Sequence, residues 1–184
     1  MIVIVGASAS GKSTLQKQMV EQKPSRYKKV VTYTTRPPRR GEKAGVDYHF
    51  VTEKQFQELV DKGFFIEHNE YRGWRYGTAK EDCHDENDCI AVLTPSGFRA
   101  LKKNGIKTIS VYLYVDRRSL MLNILQRGDD IDEAYRRNLS DAGQFDGIAD
   151  EVDYVIDNTA FHMNKDEVQT VMNEIIRVAE NERV

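Results

Sequence analysis

The stretch IVIVGASASGKST, residues 2–14, joins a short apolar run to a glycine-bounded loop and the start of a helical pattern. Consecutive β-branched residues without polar alternation are typical of a strand buried on both faces. The loop GASASGKST (6–14) matches the phosphate-binding pattern G-x-x-x-x-G-K-[ST], and it lies between a strand and a helix that begins near Ser13, as that pattern requires. Its backbone N–H groups would hold phosphate oxygens, Lys12 would reach the terminal phosphates, and the Ser13 hydroxyl would hold Mg²⁺. A chance glycine–serine turn is the alternative, and the complete motif in this place favours a P-loop.

Length and composition limit the class of protein. The chain has 184 residues, of which 40% are apolar and 30% charged, which is ordinary for one globular domain with a small inserted lobe. A net charge of −2 gives no support for a nucleic acid partner or an anionic membrane. The start MIVIV is too short for a signal peptide, and no apolar run approaches membrane-spanning length, so we expect a cytoplasmic protein. Cys83 and Cys89 are expected to be reduced thiols.

Beyond the loop, apolar runs that predict strands alternate with segments of helical length. The strand candidates are KKVVTYTT (28–35), FFIEHNEY (64–71), GWRYGT (73–78), CIAVLT (89–94), TISVYLYV (108–115) and YVI (154–156). Helices are predicted over 52–63, where Thr52 and Gln55 form a capping box, and near the C-terminus after Asn164. This alternation indicates an α/β fold with a mostly parallel sheet, which the strand-rich interval 33–79 interrupts as an insertion.

A second phosphate site is indicated by TTRPPRRGEKAGVDYHFV (34–51). The two prolines keep the backbone around Arg36 and Arg39 extended, so their side chains would project from one face about 9 Å apart. Two guanidinium groups held in this way can bind one phosphate from two sides, and Tyr48 can add a hydroxyl. Arginines around a Pro-Pro pair are more often part of a solvated loop, but a P-loop in the same chain favours a phosphate acceptor site.

Taken together, these motifs resemble those of the guanylate kinases, nucleoside monophosphate kinases that move the γ-phosphate of ATP onto GMP. The resemblance extends over most of the chain, through GASASGKST, TTRPPRRGEKAGVDYHFV, FFIEHNEYRGWRYGT (64–78), LQRGDDIDEAYRR (125–137) and DYVIDN (153–158). It implies a P-loop nucleoside triphosphate hydrolase-like core of five parallel strands flanked by helices, formed by residues 1–32 and 79–184. An inserted GMP-binding lobe (33–78) and a lid (about 126–148) would complete a single domain.

The resemblance also implies roles for individual residues. The GMP phosphate would be bound by Arg36, Arg39, Tyr48 and Tyr76, and guanine by Thr32, Glu67 and Thr78. ATP would be bound by Gly6, Ala7, Ser8, Ala9, Ser10, Gly11, Lys12, Ser13 and Thr14, with Asn158 on the adenine. Lys12, Arg127 and Arg137 would act in catalysis, and Ser13 would hold the Mg²⁺ that accompanies ATP.

The proposed role of Glu67 agrees with the chemistry of the bases. Guanine has N1–H and N2–H₂ as adjacent donors, and one carboxylate can accept from both. Adenine has a bare acceptor at N1, which would face the lone pairs of the carboxylate. A buried site of this kind can reject the wrong base by about 10⁴-fold.

The sequence departs from the family pattern at two places. Aspartates usually stand where this chain has Val92 and Thr94, and no acidic residue occurs in 89–97. A lid arginine usually stands where this chain has Asn138, preceded by Arg136 and Arg137, and we favour Arg137 because a helix can turn to compensate for one residue. These departures bear on rate and on the choice of acceptor more than on the fold.

Three functions therefore stay open at this point. The first is an ATP:GMP phosphotransferase that also accepts dGMP. The second is a related kinase of another phosphorylated acceptor, such as a different nucleotide or a ribose bisphosphate. The third is a non-catalytic binding module, against which the intact Lys12 and Ser13 argue. The expected partners are small nucleotides, with neither nucleic acid nor membrane, and the protein would be a monomer or a homodimer.

Overall fold

A computed structural model describes residues 1–39, 41–83, 88–126, 128, 130–159, 170 and 173–177, with only the backbone described for Cys83, Asp88, Glu133, Arg137 and Ser140. The elements in chain order are β1 (Ile2–Val5), α1 (Lys12–Gln22), β2 (Tyr27–Lys29), β3 (Tyr33–Thr34), β4 (His49–Phe50), α2 (Glu53–Asp61), β5 (Phe65–Tyr71), β6 (Trp74–Ala79), β7 (Asp88–Leu93), α3 (Pro95–Lys103), β8 (Ile109–Tyr114), α4 (Arg117–Gln126), α5 (Ile131–Asp141), α6 (Ile148–Glu151) and β9 (Tyr154–Asp157). None of the helices in the described ranges is long and apolar enough to cross a membrane.

Five parallel strands form the central sheet, in the order β2-β7-β1-β8-β9. The central strand β1 is buried along its whole length, because its side chains alternate between two apolar layers. Ile2 and Ile4 pack with α1 and with the residues around Ile175, whereas Val3 and Val5 pack with α3 and α6. The predicted α/β fold with a parallel sheet flanked by helices is therefore confirmed. The carboxyl end of β1 leads directly into the P-loop sequence.

A second sheet of four strands, in the order β4-β3-β6-β5, accounts for the strand-rich interval. Its main element is the antiparallel β5–β6 hairpin, which turns at Arg72 and Gly73 with φ angles of 57° and 72°. The helix α2 packs Phe56 against Phe65 of the hairpin, with ring centroids 4.7 Å apart. The predicted capping box of Thr52 and Gln55 is present at the start of this helix.

The prediction of one strand over 28–35 is wrong, because the chain changes sheets within it. β2 belongs to the central sheet and β3 to the second sheet. The change takes place at residues 30–32: Val30 N–H still donates to Ile90 of the central sheet, whereas the Thr32 carbonyl accepts from His49 of the second sheet. An apolar run alone does not distinguish two short strands from one longer strand.

The C-terminal helix is described only in part. Thr170 and residues 173–177 are helical, and Ile175 and Ile176 are buried against the central sheet. Its predicted start at Asn164 lies outside the described residues.

Candidate active site

A cleft of about 550 Å³ is lined by members of both sets of predicted binding residues. At one end, called here the P-loop end, it is lined by Gly6, Ser8, Ala9, Lys12 and Ser13. At the other, the acceptor end, it is lined by Thr32, Arg36, Arg39, Tyr48, Glu67 and Tyr76. A donor phosphate and an acceptor molecule therefore have adjoining places in one cavity, as group transfer between them requires.

The P-loop has the tight geometry that its sequence predicts. A Cβ atom at Gly6 would lie 2.7 Å from the Leu113 carbonyl oxygen, so only glycine fits there. Gly11 has a φ of 94° and precedes α1, whose first turn contains Lys12 and Ser13. Lys12 Nζ donates to the Ala7 carbonyl at 2.6 Å, which holds the ammonium group over the loop.

The remaining loop residues differ in exposure. Ala7 and Ser10 are buried, whereas Ser13 and Thr14 are exposed. Asn158, expected at the adenine, is buried with its Nδ2 donating to the Ser10 carbonyl at 3.0 Å. In this structure its carboxamide supports the P-loop backbone, and its contact with adenine stays a prediction.

The donor set of the P-loop fits a cation that arrives with the nucleotide. The described residues include no group of three or more His, Cys, Asp or Glu side chains that could hold a metal ion. Ser13 supplies an exposed hydroxyl at the helix start, beside the place where phosphates would bind. Mg²⁺ commonly binds through one or two protein oxygens together with substrate phosphates and water, and this arrangement fits that pattern.

At the acceptor end, Arg36 is buried and held in position by its neighbours. Its Nη2 donates to both carboxylate oxygens of Glu42 at 2.9 Å, and its Nη1 donates to the Pro37 carbonyl at 2.8 Å. The guanidinium also lies over the ring of Tyr48, 5.2 Å from the centroid. The backbone N–H of Arg39 donates to the same Glu42 carboxylate at 2.7 Å. Both arginines line the cleft, as predicted, but the sequence analysis missed Glu42, the anion that they share.

Two tyrosines complete this part of the acceptor end. The rings of Tyr48 and Tyr76 meet edge to face, with centroids 6.3 Å apart. Burial raises the pKa of the Tyr48 hydroxyl above its ordinary value, so this group keeps its proton and can donate to an anion. The structure thus places Tyr48 beside the buried Arg36, and Tyr76 beside Tyr48.

Glu67 is the central group of the predicted base pocket, and its side chain is 4% exposed. Thr78 Oγ1 donates to its Oε1 at 2.5 Å, and Asn69 Nδ2 donates to its Oε2 at 3.1 Å. Burial raises the pKa of the Glu67 carboxyl, while the hydrogen bonds from Thr78 and Asn69 act in the opposite direction. Thr32 lines the same end of the cleft and is largely buried.

The first departure from the family pattern, at Val92 and Thr94, lies in this cleft as well. Thr94 caps the start of α3 by accepting from Gly97 N–H at 3.1 Å, and its hydroxyl lies 3.3 Å from Asn69 Oδ1. The sequence analysis missed Asn69, although its spacing of two residues from Glu67 on a strand places both on one face.

The predicted lid contributes a charged contact that joins three parts of the molecule. Asp141, the last residue of α5, accepts from Ser8 N–H of the P-loop at 2.9 Å. It also accepts from Tyr71 Oη and from Arg72 Nη2 of the β5–β6 hairpin, the latter at 2.7 Å. The Arg72 and Asp141 side chains are 8% and 9% exposed. No local sequence pattern predicts this contact, because Asp141 is distant in sequence from each of its partners.

Of the three arginines considered for the lid, only Arg136 has a side chain among the described residues. Arg136 lines the cleft. Arg127 and the side chain of Arg137 lie outside the described residues, so their predicted roles stay predictions. The choice between Arg136 and the favoured Arg137 therefore stays a prediction as well.

Comparison with known proteins gives consistent results. The sequence model of the family described as guanylate kinase matches residues 1–175. A guanylate kinase of Nostoc sp. is 32% identical over 88% of this chain and 83% of its own length, and one of Sus scrofa is 34% identical over 77% and 74%. Among solved structures, a guanylate kinase from Anaplasma phagocytophilum superposes with a TM-score of 0.72 over 99% of this chain and 85% of that chain. At 24% identity, this last match shows the fold alone.

Proposed function

Because the chain belongs to the guanylate kinase family, we propose that it transfers the γ-phosphate of ATP to GMP or dGMP, giving ADP and the nucleoside diphosphate. The observation that carries this proposal is the common cleft, in which an intact P-loop and the buried carboxylate of Glu67 line the same cavity. A P-loop alone supports nucleotide binding, whereas a second site for an acceptor is what a kinase needs in addition.

Guanine is the acceptor base that the chemistry of Glu67 favours. Its carboxylate can accept from N1–H and from one hydrogen of the 2-amino group. Thr78 and Asn69 orient the carboxylate before the base arrives, so that little reorganisation is needed on binding. Adenine would place its N1 lone pair against the carboxylate and would offer this buried anion no donor at N1.

Phosphoryl transfer in this cleft would depend on positioning and on charge neutralisation. Arg36, Arg39, Tyr48 and Tyr76 would hold the acceptor phosphate at one end, while P-loop N–H groups and Lys12 would hold the triphosphate at the other. Mg²⁺ on Ser13 and the ATP phosphates would neutralise developing charge. Arg127 and Arg136 or Arg137 would close over the migrating group from the lid.

The partners, cellular location and oligomeric state are proposed from the charge and size of the chain. A net charge of −2 favours neither nucleic acid nor an anionic membrane as partner. We propose a cytoplasmic enzyme that acts on small nucleotides as a monomer or homodimer, which size-exclusion chromatography with light scattering would test.

The test of function is a panel of acceptors with ATP and Mg²⁺: GMP, dGMP, IMP, AMP, UMP, CMP, dTMP and ribose 1,5-bisphosphate, with release of ADP measured for each. Turnover confined to guanine nucleotides, or strongest with them, would support the proposal. Turnover only with another acceptor would retain a kinase and reject the guanine pocket. Bound ATP without any turnover would indicate a binding module.

Glu67→Gln connects the panel to the pocket. An amide nitrogen in place of one carboxylate oxygen faces the donors of guanine with a donor, so we expect kcat/KM for GMP to fall by about 10²-fold or more. The KM for ATP should stay unchanged, because Glu67 lies at the acceptor end. Glu70→Gln is the matched control, since Glu70 is an exposed residue of the same strand. Equal losses for GMP and ATP would mean that Glu67 is structural.

A further inference from the structure

Asn69 lies between Glu67 and Thr94 at the acceptor end of the cleft, and none of the predicted roles involves it. It is two residues from Glu67 on β5, and the two side chains share a face of the strand. Its Nδ2 donates to Glu67 Oε2 at 3.1 Å, while its Oδ1 lies 3.3 Å from Thr94 Oγ1. Asn69 also lines the cleft, as Glu67 and Thr94 do.

The orientation of the Asn69 carboxamide is determined by its partners. An ionised carboxylate only accepts hydrogen bonds, so the amide nitrogen must face Glu67 and the carbonyl oxygen must face Thr94. The first turn of α3 packs closely against these two side chains, because a Cβ atom at Gly97 would lie 3.1 Å from Asn69 Nδ2 and 3.2 Å from Glu67 Oε2. Glycine at this position leaves room for both side chains.

A count of donors and acceptors shows that one carboxylate is not enough for the base. Guanine has three N–H donors on this edge, one at N1 and two on the 2-amino group. The oxygens of Glu67 already accept from Thr78 and Asn69. A carboxylate has about four lone-pair positions, so a second acceptor is needed for the remaining hydrogen of the amino group.

Asn69 is better suited than Thr94 to be that second acceptor. The Thr94 hydroxyl oxygen is already engaged with Gly97 N–H, with the Ser96 hydroxyl at 3.0 Å and with Asn69. The carbonyl oxygen of Asn69 has two lone pairs, of which the Thr94 hydroxyl takes one. The other is available to a donor in the cleft.

We propose that Asn69 is a specificity-determining residue that accepts a hydrogen bond from the 2-amino group of the acceptor base. Together, Glu67 and Asn69 select a 2-amino-6-oxopurine, with Glu67 reading N1–H and Asn69 reading the amino group that distinguishes guanine from hypoxanthine. This inference rests on the proposed function. It adds a second residue to the same site. The carbonyl oxygen of Asn69 is a neutral acceptor, and residues 89–97 provide no acidic side chain that could accept the hydrogen bond instead.

The test is the ratio of kcat/KM for GMP to kcat/KM for IMP, which lacks only the 2-amino group. In the Asn69→Ala variant we expect this ratio to fall about tenfold, because GMP loses one hydrogen bond that IMP never makes. Rejection of AMP should persist, since Glu67 still reads N1. Glu70→Ala, an exposed position on the same strand, serves as the control and should leave the ratio unchanged.

The measured ratio distinguishes two roles for Asn69: a hydrogen bond to the base, or orientation of the Glu67 carboxylate alone. If Asn69 only supports Glu67, kcat/KM for GMP and kcat/KM for IMP should fall by the same factor. Their ratio would then be unchanged, and an unchanged ratio would overturn the inference. If Asn69→Ala fails to fold, as judged by its melting curve, Asn69→Ser gives the same measurement, because its hydroxyl is too short to take the place of the carboxamide. Wild-type protein that turns over no guanine nucleotide would overturn the proposed function and this inference with it, whereas wild-type turnover with an unchanged ratio overturns the inference alone.

Discussion

At the acceptor end of the cleft, Arg36 is paired with the carboxylate of Glu42, whereas at the P-loop end Lys12 donates to the neutral carbonyl oxygen of Ala7. An acceptor phosphate must therefore compete with a protein carboxylate for its arginine. At the P-loop end, a triphosphate would replace the Ala7 carbonyl at Lys12, and it would compete with the Asp141 carboxylate for the backbone N–H of Ser8. Because two opposite charges attract each other more strongly than a carboxylate and a backbone N–H do, the acceptor phosphate faces the larger cost at Arg36.

The largest expected effect is at the P-loop end. Lys12→Ala removes the cation that would neutralise the terminal phosphates, so we expect kcat to fall by about 10³-fold or more. The fold and the binding of GMP should be retained, because the acceptor end does not depend on Lys12. Steady-state kinetics, a melting curve and an equilibrium GMP titration measure the three quantities. Lys17→Ala, an exposed lysine of α1, is the control, and undiminished turnover of Lys12→Ala would refute the role of the P-loop.

The next effect concerns the counter-charge at the acceptor end. Glu42→Ala leaves the buried Arg36 guanidinium without its anion, and we expect a loss of about 2 kcal/mol in the free energy of unfolding. GMP should raise the melting temperature of this variant by more than that of the wild type, because its phosphate supplies the missing charge.

The control for this variant is a glutamate in a surface ion pair. Glu21→Ala removes the partner of Lys17, a pair whose side chains are 61% and 72% exposed, and should change stability by less than about 0.5 kcal/mol. A GMP-induced shift in Glu42→Ala no larger than in the wild type would show that Glu42 organises the loop and does not compete with the phosphate.

The smallest effect concerns the contact that connects the two ends. Asp141→Asn removes the charge that faces Arg72 while it keeps an oxygen for Ser8 N–H, so we expect a loss of about 1–2 kcal/mol in stability. Asp146→Asn, an exposed aspartate of the following turn, should be near neutral. Chemical denaturation curves of both variants measure the difference. Equal stabilities would mean that the Asp141 contact contributes nothing to holding α5 on the hairpin.

The sequence predicted the parts of the site that lie in continuous motifs. The P-loop is one such stretch, because a strand, a glycine turn and a helix start follow one another and fix the geometry locally. The arginine stretch predicted a shared phosphate site for Arg36 and Arg39, which both line the cleft, but it did not predict their contact with Glu42, which depends on the turn that returns the chain. The split of 28–35 between two sheets depends on hydrogen-bond partners at Ile90 and His49, which the apolar pattern does not identify.

Contacts between segments that are distant in sequence could not be predicted, because they depend on how the whole chain folds. Asp141 meets Ser8 and Arg72 only because the fold brings the end of α5 to the P-loop and the hairpin. Asn69 could have been found, since the alternation of a strand places it beside Glu67. Its second partner, Thr94, reaches it only through the packing of α3 against β5.

The chain order of the strands sets the order in which they can pair during folding. The central strand β1 has β7 and β8 as its neighbours, so every strand of the second sheet must be looped out before β1 gains either partner. Closing a long flexible loop is entropically unfavourable, and parallel pairing across it is slow. The β5–β6 hairpin closes through the two-residue turn at Arg72 and Gly73, and hairpins form within microseconds. We therefore expect the hairpin to form first and to shorten the loop that the parallel sheet must close, which makes the pairing of β1 the slow step of folding.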